Sequence, residues 1–351
     1  MTQATHDRSS RPTQTAHVEP LLKVDNLQVD FQTYGGVVQA VRGVSFEVMP
    51  GQTLAIVGES GCGKSVTVQS LLGLIPMPPG RIHQGTATLK GRDILGSKIV
   101  DGQDIRGREI SMIFQDPMTS LNPTMTIGRQ IAETLEVHRG YTRSQALQRA
   151  IELLEMTKIP EAAQRANQYP FEFSGGMLQR AMIAMAIACE PAILIADEPT
   201  TALDVTIQAQ ILDLLGDLQQ QTGMAIILIT HDLGVVARMA DDVMVMYAGE
   251  VVERGNVDDI FYRSGHPYTQ GLRQAMPTNR GVAADEQTLI AIDGSPPDLF
   301  HPPQGCAYHP RCPRAMRICA QQPAPRQHLG DGHFATCWLH HELSRQPGTQ
   351  S

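Results

Sequence analysis

The sequence lacks both a long hydrophobic run and an excess of basic residues. No stretch of its 351 residues reaches the roughly 18 consecutive apolar residues that a membrane-spanning helix needs. The formal net charge of −8 argues against a nucleic-acid-binding surface, because binding the phosphate backbone requires clustered Lys and Arg. Residues 1–20 lack the apolar core of a signal peptide, so we predict a disordered tail there and a chain that stays in the cytoplasm. Any membrane association would then depend on partner proteins.

The segment Gly58–Ser65, with the sequence GESGCGKS, carries the strongest motif. It follows the apolar run Thr53–Val57 and precedes a helix-like segment at 66–74, which is the strand–loop–helix order of a phosphate-binding loop. Glycines let backbone N–H groups approach a phosphate closely, and the helix N-terminus adds a positive dipole end. A plain glycine-rich turn is the alternative.

Within this loop, Lys64 is expected to contact the β- and γ-phosphates of a nucleoside triphosphate, and Ser65 to hold Mg²⁺. Cys62 is expected to be a small loop residue and not a nucleophile. The predicted nucleotide contacts are Gly58, Glu59, Ser60, Gly61, Cys62, Gly63, Lys64 and Ser65.

Polar side chains end two later apolar runs. Asp197 and Glu198 follow the run 192–196, and His231 follows the run 225–229 with one residue between. In a doubly wound sheet the carboxyl ends of the strands meet at one edge, where ligands bind. We therefore predict that Asp197 joins the Mg²⁺ shell and that Glu198 polarises the attacking water. Two solvated carboxylates and a structural histidine would be the interpretation without the phosphate loop.

Alternating apolar and polar residues predict two strands at 21–31 and 37–48, joined by a turn at 34–36. An aromatic ring ahead of a phosphate loop can stack on adenine, and both Phe31 and Tyr34 are candidates. Ordinary core or hairpin-surface positions are the alternative for each.

Strand-like segments also occur at 85–89 and 110–114, the second ending at Gln115. Gln115 is a weak signal by itself, since a polar amide at a strand end is common. The following segment, 117–128, contains two prolines and is predicted to be an exposed loop.

Helical periodicity from about 128 to 190 indicates an inserted helical subdomain. Two of its helices present apolar faces, which consist of Ile127, Ile131 and Leu135 in the first and of Leu147, Ile151 and Leu154 in the second. Ser144 is the predicted N-cap of the second helix. A third helix begins at Ser174, Gly175 and Gly176, whose bare amides could bind an anion, although a capped helix without a ligand is the alternative.

In this order, the motifs resemble the ATP-binding-cassette (ABC) family over residues 21 to about 260. The resemblance implies that Gln115 senses Mg²⁺ and the γ-phosphate and that His231 holds the γ-phosphate. It places Asp204 in a loop that communicates across a dimer. It further implies a head-to-tail pair of subunits with two ATP molecules sandwiched between them.

The same resemblance identifies Ser174, Gly175 and Gly176 as the family signature, which closes over the nucleotide bound to the opposite subunit. The signature here reads FSGGM where the common form is LSGGQ. Phe173 and Met177 differ from the common form. The ATP site of the partner subunit, which this signature would complete, could therefore hydrolyse ATP less well than the second ATP site of the pair.

Five segments together resemble the ATPase subunits of bacterial oligopeptide and dipeptide importers, namely GESGCGKS, ISMIFQDPMTSLNP, YPFEFSGGM, ADEPTTALDVT and ITHDLGVVA, with HPYTQGL at 266–272 in addition. Related nickel and glutathione importers share much of this pattern. The resemblance implies a peripheral protein on the cytoplasmic face of the bacterial inner membrane. Its partners would be a second ATPase subunit, two transmembrane permease subunits and, indirectly, a periplasmic or lipoprotein solute-binding protein.

A soluble ABC ATPase of DNA repair or translation is the alternative from another class. Repair members carry long coiled-coil insertions and translation members usually carry two cassettes, and this acidic chain has neither. The expected fold is an α/β P-loop ABC nucleotide-binding domain at 21–262, with a mostly parallel sheet, an antiparallel β portion and the helical insertion. A cysteine-rich C-terminal extension would follow at 263–351.

Four cysteines of this extension lie within a proline-rich stretch, at Cys306, Cys312, Cys319 and Cys337. A small lobe with so few apolar residues would need cross-links, such as disulfides or a bound metal, to remain folded. Disulfides are disfavoured in a reducing cytoplasm, and the spacing lacks the C-x-x-C pairs usual for zinc, although four thiolates can bind Zn²⁺. The importer resemblance implies a 4Fe–4S cluster. We therefore expect iron–sulfur, with zinc or no metal as alternatives.

Overall fold

The computed structural model describes residues 19–95, 105–201, 203–276 and 292–345. The predicted disordered tail lies almost entirely outside these ranges. The strands are β1 (Leu22–Thr33), β2 (Gly36–Val48), β3 (Thr53–Val57), β4 (Gly80–Leu89), β5 (Arg92–Asp93), β6 (Ile110–Ile113), β7 (Ile193–Asp197), β8 (Ala225–Thr230), β9 (Asp242–Tyr247), β10 (Glu250–Asn256), β11 (Arg326–Gly330) and β12 (His333–Thr336). The helices are α1 (Lys64–Leu71), α2 (Pro117–Ser120), α3 (Ile127–Arg139), α4 (Arg143–Met156), α5 (Ala162–Arg165), α6 (Gly175–Ile187), α7 (Val205–Thr222), α8 (Leu233–Met239), α9 (Val257–Tyr262), α10 (Pro267–Gln274) and α11 (Arg317–Gln321).

The large sheet has eight strands in the order β11-β12-β10-β9-β3-β8-β7-β6. The five strands from β9 to β6 are parallel to one another, whereas β10, β12 and β11 pair antiparallel at one edge. Parallel strands need coverage on both faces, and their sequences accordingly read as continuous apolar runs. Four of these runs are predicted as strands from the sequence, and the structure contains β3, β6, β7 and β8 at those positions.

Alternate residues of the central strands pack into different hydrophobic clusters. Leu54 and Ile56 of β3 pack on the side of the antiparallel sheet, whereas Ala55 and Val57 pack on the opposite side, against α8 and the C-terminal extension. Side chains alternate along a strand, so each central strand is buried on both faces. This burial fixes the register that aligns the strand ends.

The second sheet is antiparallel, with the order β2-β1-β4-β5. Its first two strands match the predicted pair and meet at the predicted turn. Leu22, Val24, Leu27 and Val29 of β1 are buried against the large sheet. The antiparallel portion thus forms a layer on one face of the parallel sheet, in agreement with the expected antiparallel β portion.

Two local predictions between residues 117 and 154 need correction. The predicted loop contains the short helix α2, because Asp116 caps it by accepting a hydrogen bond from the N–H of Met118. Helix α4 is capped by Thr142 and not by Ser144, since Thr142 Oγ1 accepts from the N–H of Gln145 at 3.4 Å. The Gln145 side chain accepts in return from the N–H of Thr142, which completes a capping box.

The buried face of α4 also differs from the predicted one. Its buried residues are Ala146, Ala150, Leu153 and Leu154, while Leu147 is exposed. Small alanines face the neighbouring helices, so a pattern based on large apolar residues alone points to the wrong side. The apolar face predicted for α3 is correct, as Ile127, Ile131 and Leu135 are all buried.

The C-terminal extension is attached to the large sheet by backbone pairing and by one buried carboxylate. Strand β12 pairs with β10. Glu253 of β10 is fully buried and accepts hydrogen bonds from the N–H groups of Gly265 and His266 at 2.6 and 2.9 Å. Its Oε1 also lies 2.9 Å from Nε2 of His333 in β12. Buried carboxylates require such partners, so the extension is held by protein contacts.

The prediction of an iron–sulfur cluster is wrong. Among the described residues, which include all four cysteines of the extension, no three His, Cys, Asp or Glu side chains are placed to hold a metal ion. The same finding gives no support to the alternative of a zinc site among the described residues. Burial raises the pKa of Cys306 to about 11 and that of Cys337 to about 12. Packing, including that of the buried Tyr308 and Trp338, supplies the stability that we had attributed to a metal.

Within the described ranges, no helix combines the length and the apolarity that crossing a bilayer requires.

Replacing Thr142 with Ala should destabilise α4 by about 1 kcal/mol, because the N–H of Gln145 loses its acceptor at the helix start. Ser144→Ala is the matched control and should change stability by no more than about 0.5 kcal/mol. Urea unfolding, with hydrogen exchange of the α4 amides to localise the effect, would measure both. Equal destabilisation by the two substitutions would contradict the assignment of the cap.

Candidate active site

A cleft of about 760 Å³ lies at the carboxyl edge of the parallel strands. The phosphate loop follows β3, Gln115 follows β6, Glu198 follows β7 and His231 follows β8. The strands are in register, with Val57 beside Thr230 and Asp197 beside Ile229, so the residues that follow them meet at one place. Of the predicted site residues, the cleft is lined by Phe31, Glu59, Ser60, Gly61, Gly63, Lys64, Ser65, Gln115, Asp197, Glu198 and His231.

Two glycines of the loop are required by close backbone approaches. A Cβ at Gly58 would collide with the carbonyl oxygen of Met246, and a Cβ at Gly63 would collide with that of Ala40. Both residues also have positive φ, at 155° and 101°. The backbone of the loop therefore has the tight curvature that a phosphate-binding loop needs. Cys62 is buried, and burial raises the pKa of its thiol. Of the predicted nucleotide contacts in the loop, Gly58 and Cys62 are not among the described residues that line the cleft.

Lys64 is the first residue of α1 and is buried, with 6 % of its surface exposed. Its ammonium donates hydrogen bonds to the carbonyl oxygens of Gly58 at 2.8 Å and of Glu59 at 2.9 Å. These bonds hold the charge inside the curve of the loop. A cation fixed at that point is suited to the oxygens of a phosphate.

Ser65 and Asp197 form a pair that fits a magnesium ion. The Ser65 hydroxyl donates to Asp197 Oδ1 at 3.1 Å. Burial raises the pKa of Asp197, partly offset by the hydrogen bond from Ser65. A buried carboxylate is costly while it lacks a cation, and hydroxyl and carboxylate oxygens are ligands that Mg²⁺ prefers. The donor set therefore suits Mg²⁺ on chemical grounds.

Glu198 is held by three side chains at the end of β7. Gln115 Nε2 donates to its Oε2 at 2.9 Å, and Thr201 Oγ1 donates to the same oxygen at 3.0 Å. His231 Nδ1 lies 3.2 Å from Oε1. Glu198 also has a left-handed backbone, with φ of 48°, and its N–H donates to the carbonyl of Ile229. The carboxylate is thus fixed in direction in the wall of the cleft.

Sequence reasoning missed Thr201, which lines the cleft as well as binding Glu198. A usable signal was present, because a hydroxyl three residues after a strand-end carboxylate can fold back onto it. It also missed Leu299, which lines the cleft from the C-terminal extension. No local pattern could have shown this contact, since it depends on how the extension folds back.

The two aromatic candidates for adenine stacking differ in position. Phe31 lines the cleft beside Val38 and Ala40 of β2, whereas Tyr34 is fully exposed at the hairpin turn and is not among the described residues that line it. An exposed turn residue is held by few neighbours. The geometry therefore favours Phe31.

The predicted signature lies elsewhere. Ser174, Gly175, Gly176 and Asp204 are not among the cleft-lining residues of the described ranges. Ser174 caps α6 by accepting from the N–H of Met177, and Asp204 caps α7 by accepting from the N–H of Ile207 at 3.0 Å. The two helix starts are neighbours, because a Cβ at Gly176 would lie 3.0 Å from the Ile207 side chain. They form a second cluster of polar groups, apart from the cleft.

Comparison with known families gives two matches, to "ABC transporter" over residues 41–201 and to "Oligopeptide/dipeptide transporter, C-terminal region" over 252–319. The chain is 55% identical to the Bacillus subtilis oligopeptide transport ATP-binding protein OppD, covering 92% of this chain and 90% of the relative. It is 52% identical to the dipeptide transport ATP-binding protein DppD of the same organism, covering 92% and 95%.

Solved structures show the same similarity. A dimeric ATP-binding cassette in a post-hydrolysis state, bound to ADP and Pi, matches with a TM-score of 0.60 and 27% identity, covering 67% of this chain and 98% of the other. A second dimeric structure of a bacterial ABC transporter cassette matches with a TM-score of 0.59 and 28% identity, covering 67% and 98%.

Replacing Lys64 with Ala should weaken the binding of Mg²⁺-triphosphate by about tenfold to a hundredfold, because one charge-assisted contact to the phosphates is lost. Fluorescence titration with a labelled ATP analogue would measure the Kd. Lys158→Ala, which removes a surface lysine paired with Asp217, is the matched control and should leave the Kd unchanged. Normal affinity in Lys64→Ala would count against the phosphate loop.

Proposed function

The chain belongs to the ABC transporter family, and we propose that it is the subunit that hydrolyses ATP to power the import of oligopeptides or dipeptides. One observation carries this proposal. The side chains to which we assign ATP binding and hydrolysis line a single cleft, and the same chain matches a region of the oligopeptide/dipeptide transporter type. The high identity to peptide-transport ATP-binding proteins over most of both chains supports the choice of solute.

The proposed mechanism uses positioning and charge neutralisation, as phosphoryl transfer generally does. The loop amides and Lys64 bind the β- and γ-phosphates. Ser65 and Asp197 would hold Mg²⁺, which neutralises charge on the phosphate oxygens. Glu198 polarises the attacking water, and Gln115 and His231 orient the γ-phosphate and the carboxylate.

The proposed working unit is a head-to-tail pair with a homologous ATPase subunit. In this arrangement Ser174, Gly175 and Gly176 complete the ATP site of the partner, and Asp204 lies at the contact between the two subunits. The position of these helix starts outside the cleft of their own chain supports this arrangement. Closure of the two ATPase subunits around ATP would move two permease subunits in the membrane. A solute-binding protein would deliver the peptide from outside. The chain would therefore act at the cytoplasmic face of the bacterial inner membrane.

The proposed domain organisation follows the sequence boundaries. Residues 21–262 form the ABC ATPase domain, in which the helices between 128 and 190 are the helical subdomain. Residues 263–351 form the C-terminal extension, whose described part contains α10, α11, β11 and β12.

Replacing Glu198 with Gln should lower ATP turnover in the assembled transporter by at least about a hundredfold, because the carboxylate that polarises water is lost. The affinity for ATP should remain, since the loop contacts are intact. Phosphate release and nucleotide binding, measured separately, would show this split. Glu152→Gln, at a surface ion pair on α4, is the matched control. Unchanged turnover in Glu198→Gln would contradict the assignment.

The solute is tested by growth. A host auxotrophic for one amino acid, with this chain and its partner subunits as its only peptide importer, should grow on a peptide containing that amino acid and stop growing when Glu198→Gln replaces the wild type. Growth on the free amino acid should be unaffected. Loss of nickel or glutathione uptake with intact peptide uptake would instead identify one of the related importers.

A further inference from the structure

The C-terminal extension contacts the phosphate loop through Arg311. Its Nη1 lies 2.6 Å from Oε2 of Glu59, and its Nη2 lies 3.0 Å from Oε1, so the two side chains form a two-point ion pair. The Arg311 side chain is buried, with 6 % exposed, and Glu59 lines the cleft. Charged pairs with little solvent are screened weakly, and the fork geometry restricts the direction of the carboxylate.

The remaining donors of Arg311 are bound within the protein. Nε donates to the carbonyl of Asp293 at 2.8 Å, Nη1 donates to the Tyr247 hydroxyl at 3.2 Å, and Nη2 donates to the carbonyl of Ile292 at 3.3 Å. These three contacts hold the guanidinium in place independently of Glu59. A lysine, with a single ammonium, could not make this set of contacts.

Glu59 connects this arginine to the lysine of the loop. Its N–H donates to the Tyr268 hydroxyl at 2.9 Å, and its carbonyl accepts from Lys64 at 2.9 Å. Tyr268 also belongs to the extension and packs against Tyr247 and Tyr308. The side chain and the backbone of one loop residue are thus both fixed by the extension.

A second contact lies on the other side of the cleft. Leu299 of the extension lines the cleft, and its carbonyl accepts a hydrogen bond from the N–H of Gln39 at 3.0 Å. Gln39 stands between Val38 and Ala40 of β2, which also line the cleft. The extension therefore meets both the phosphate side and the β2 side of one site.

We propose that the C-terminal extension sets the nucleotide affinity of its own chain, with Arg311 as a positioning residue that fixes the phosphate loop through Glu59. Arg311 acts through Glu59 and does not itself line the cleft. This inference rests on the proposed ATPase function and specifies how its site is controlled. By thermodynamic linkage, a contact that strengthens nucleotide binding requires the nucleotide to stabilise the extension by the same factor.

The affinity test uses the full chain with Mg²⁺ and a labelled, non-hydrolysable ATP analogue. Arg311→Met and Glu59→Gln should each raise the Kd by about tenfold, and the double variant should be no weaker than the worse single variant, since both remove one interaction. Arg311→Lys, which keeps the charge but loses the fork, should lie between wild type and Arg311→Met. It also guards against misfolding of the methionine variant.

Arg254→Met is the matched control. Arg254 forms an ion pair with Asp242 at 2.6 Å between β9 and β10, its side chain is 17 % exposed, and it does not line the cleft. Its loss should lower the melting temperature without changing the Kd. If Arg311→Met and Arg311→Lys behave like Arg254→Met, with lower stability and unchanged Kd, the positioning role is refuted.

Hydrogen exchange provides the reciprocal readout. The nucleotide should slow exchange in β12 and α11, which do not contribute to the cleft lining, and this protection should vanish in Glu59→Gln while protection of α1 persists. Protection of β12 that survives in Glu59→Gln would overturn the inference. A wild-type chain that binds no nucleotide would overturn the proposed function itself, so the two failures are distinguishable.

Discussion

The alignment of five parallel strands, each buried on both faces, is the constraint on which the rest of this structure depends. Alternate residues of β3, β7 and β8 enter different hydrophobic clusters, so a shift of one residue would exchange the faces of a whole strand. The register is therefore fixed by the core. Because the register of the strands is fixed, the polar residues that follow them lie close together at one edge of the sheet. No contact among these polar residues is needed to bring them there.

This explains which parts of the site could be predicted. Lys64, Asp197 and His231 could be identified because each stands at the end of an apolar run or a glycine loop. In sheets of this type ligands bind at the carboxyl ends of the strands, so these residues are expected to lie in one site. The choice between Phe31 and Tyr34 depended on the bend of a hairpin and needed the structure. Thr142 and Ala150 show the same limit in α4, where a competing cap and small buried residues defeated a pattern that weighs large apolar side chains.

The extension was the part that the sequence described least well. Its scarcity of apolar residues suggested a lobe that needs a metal, but the lobe is not independent. It continues the large sheet through β12 and places the N–H groups of Gly265 and His266 on the buried carboxylate of Glu253. Losing these two N–H donors would leave the buried carboxylate without them as partners, which costs several kcal/mol. Cohesion therefore comes from long-range contacts, which composition cannot reveal.

The altered signature can be interpreted in the same physical terms. Phe173 is buried in the cluster beneath α6, and Met177 packs against the edge of that cluster. The cap of α6 needs only the Ser174 hydroxyl and the backbone N–H of residue 177, which any side chain at that position leaves in place. The departure from the common form therefore concerns two side chains that pack in or against the cluster under α6, while Ser174 still caps the helix. In the proposed pair, a difference between the two ATP sites would then arise from the seating of α6 or from the side-chain amide that glutamine supplies at position 177 and methionine lacks.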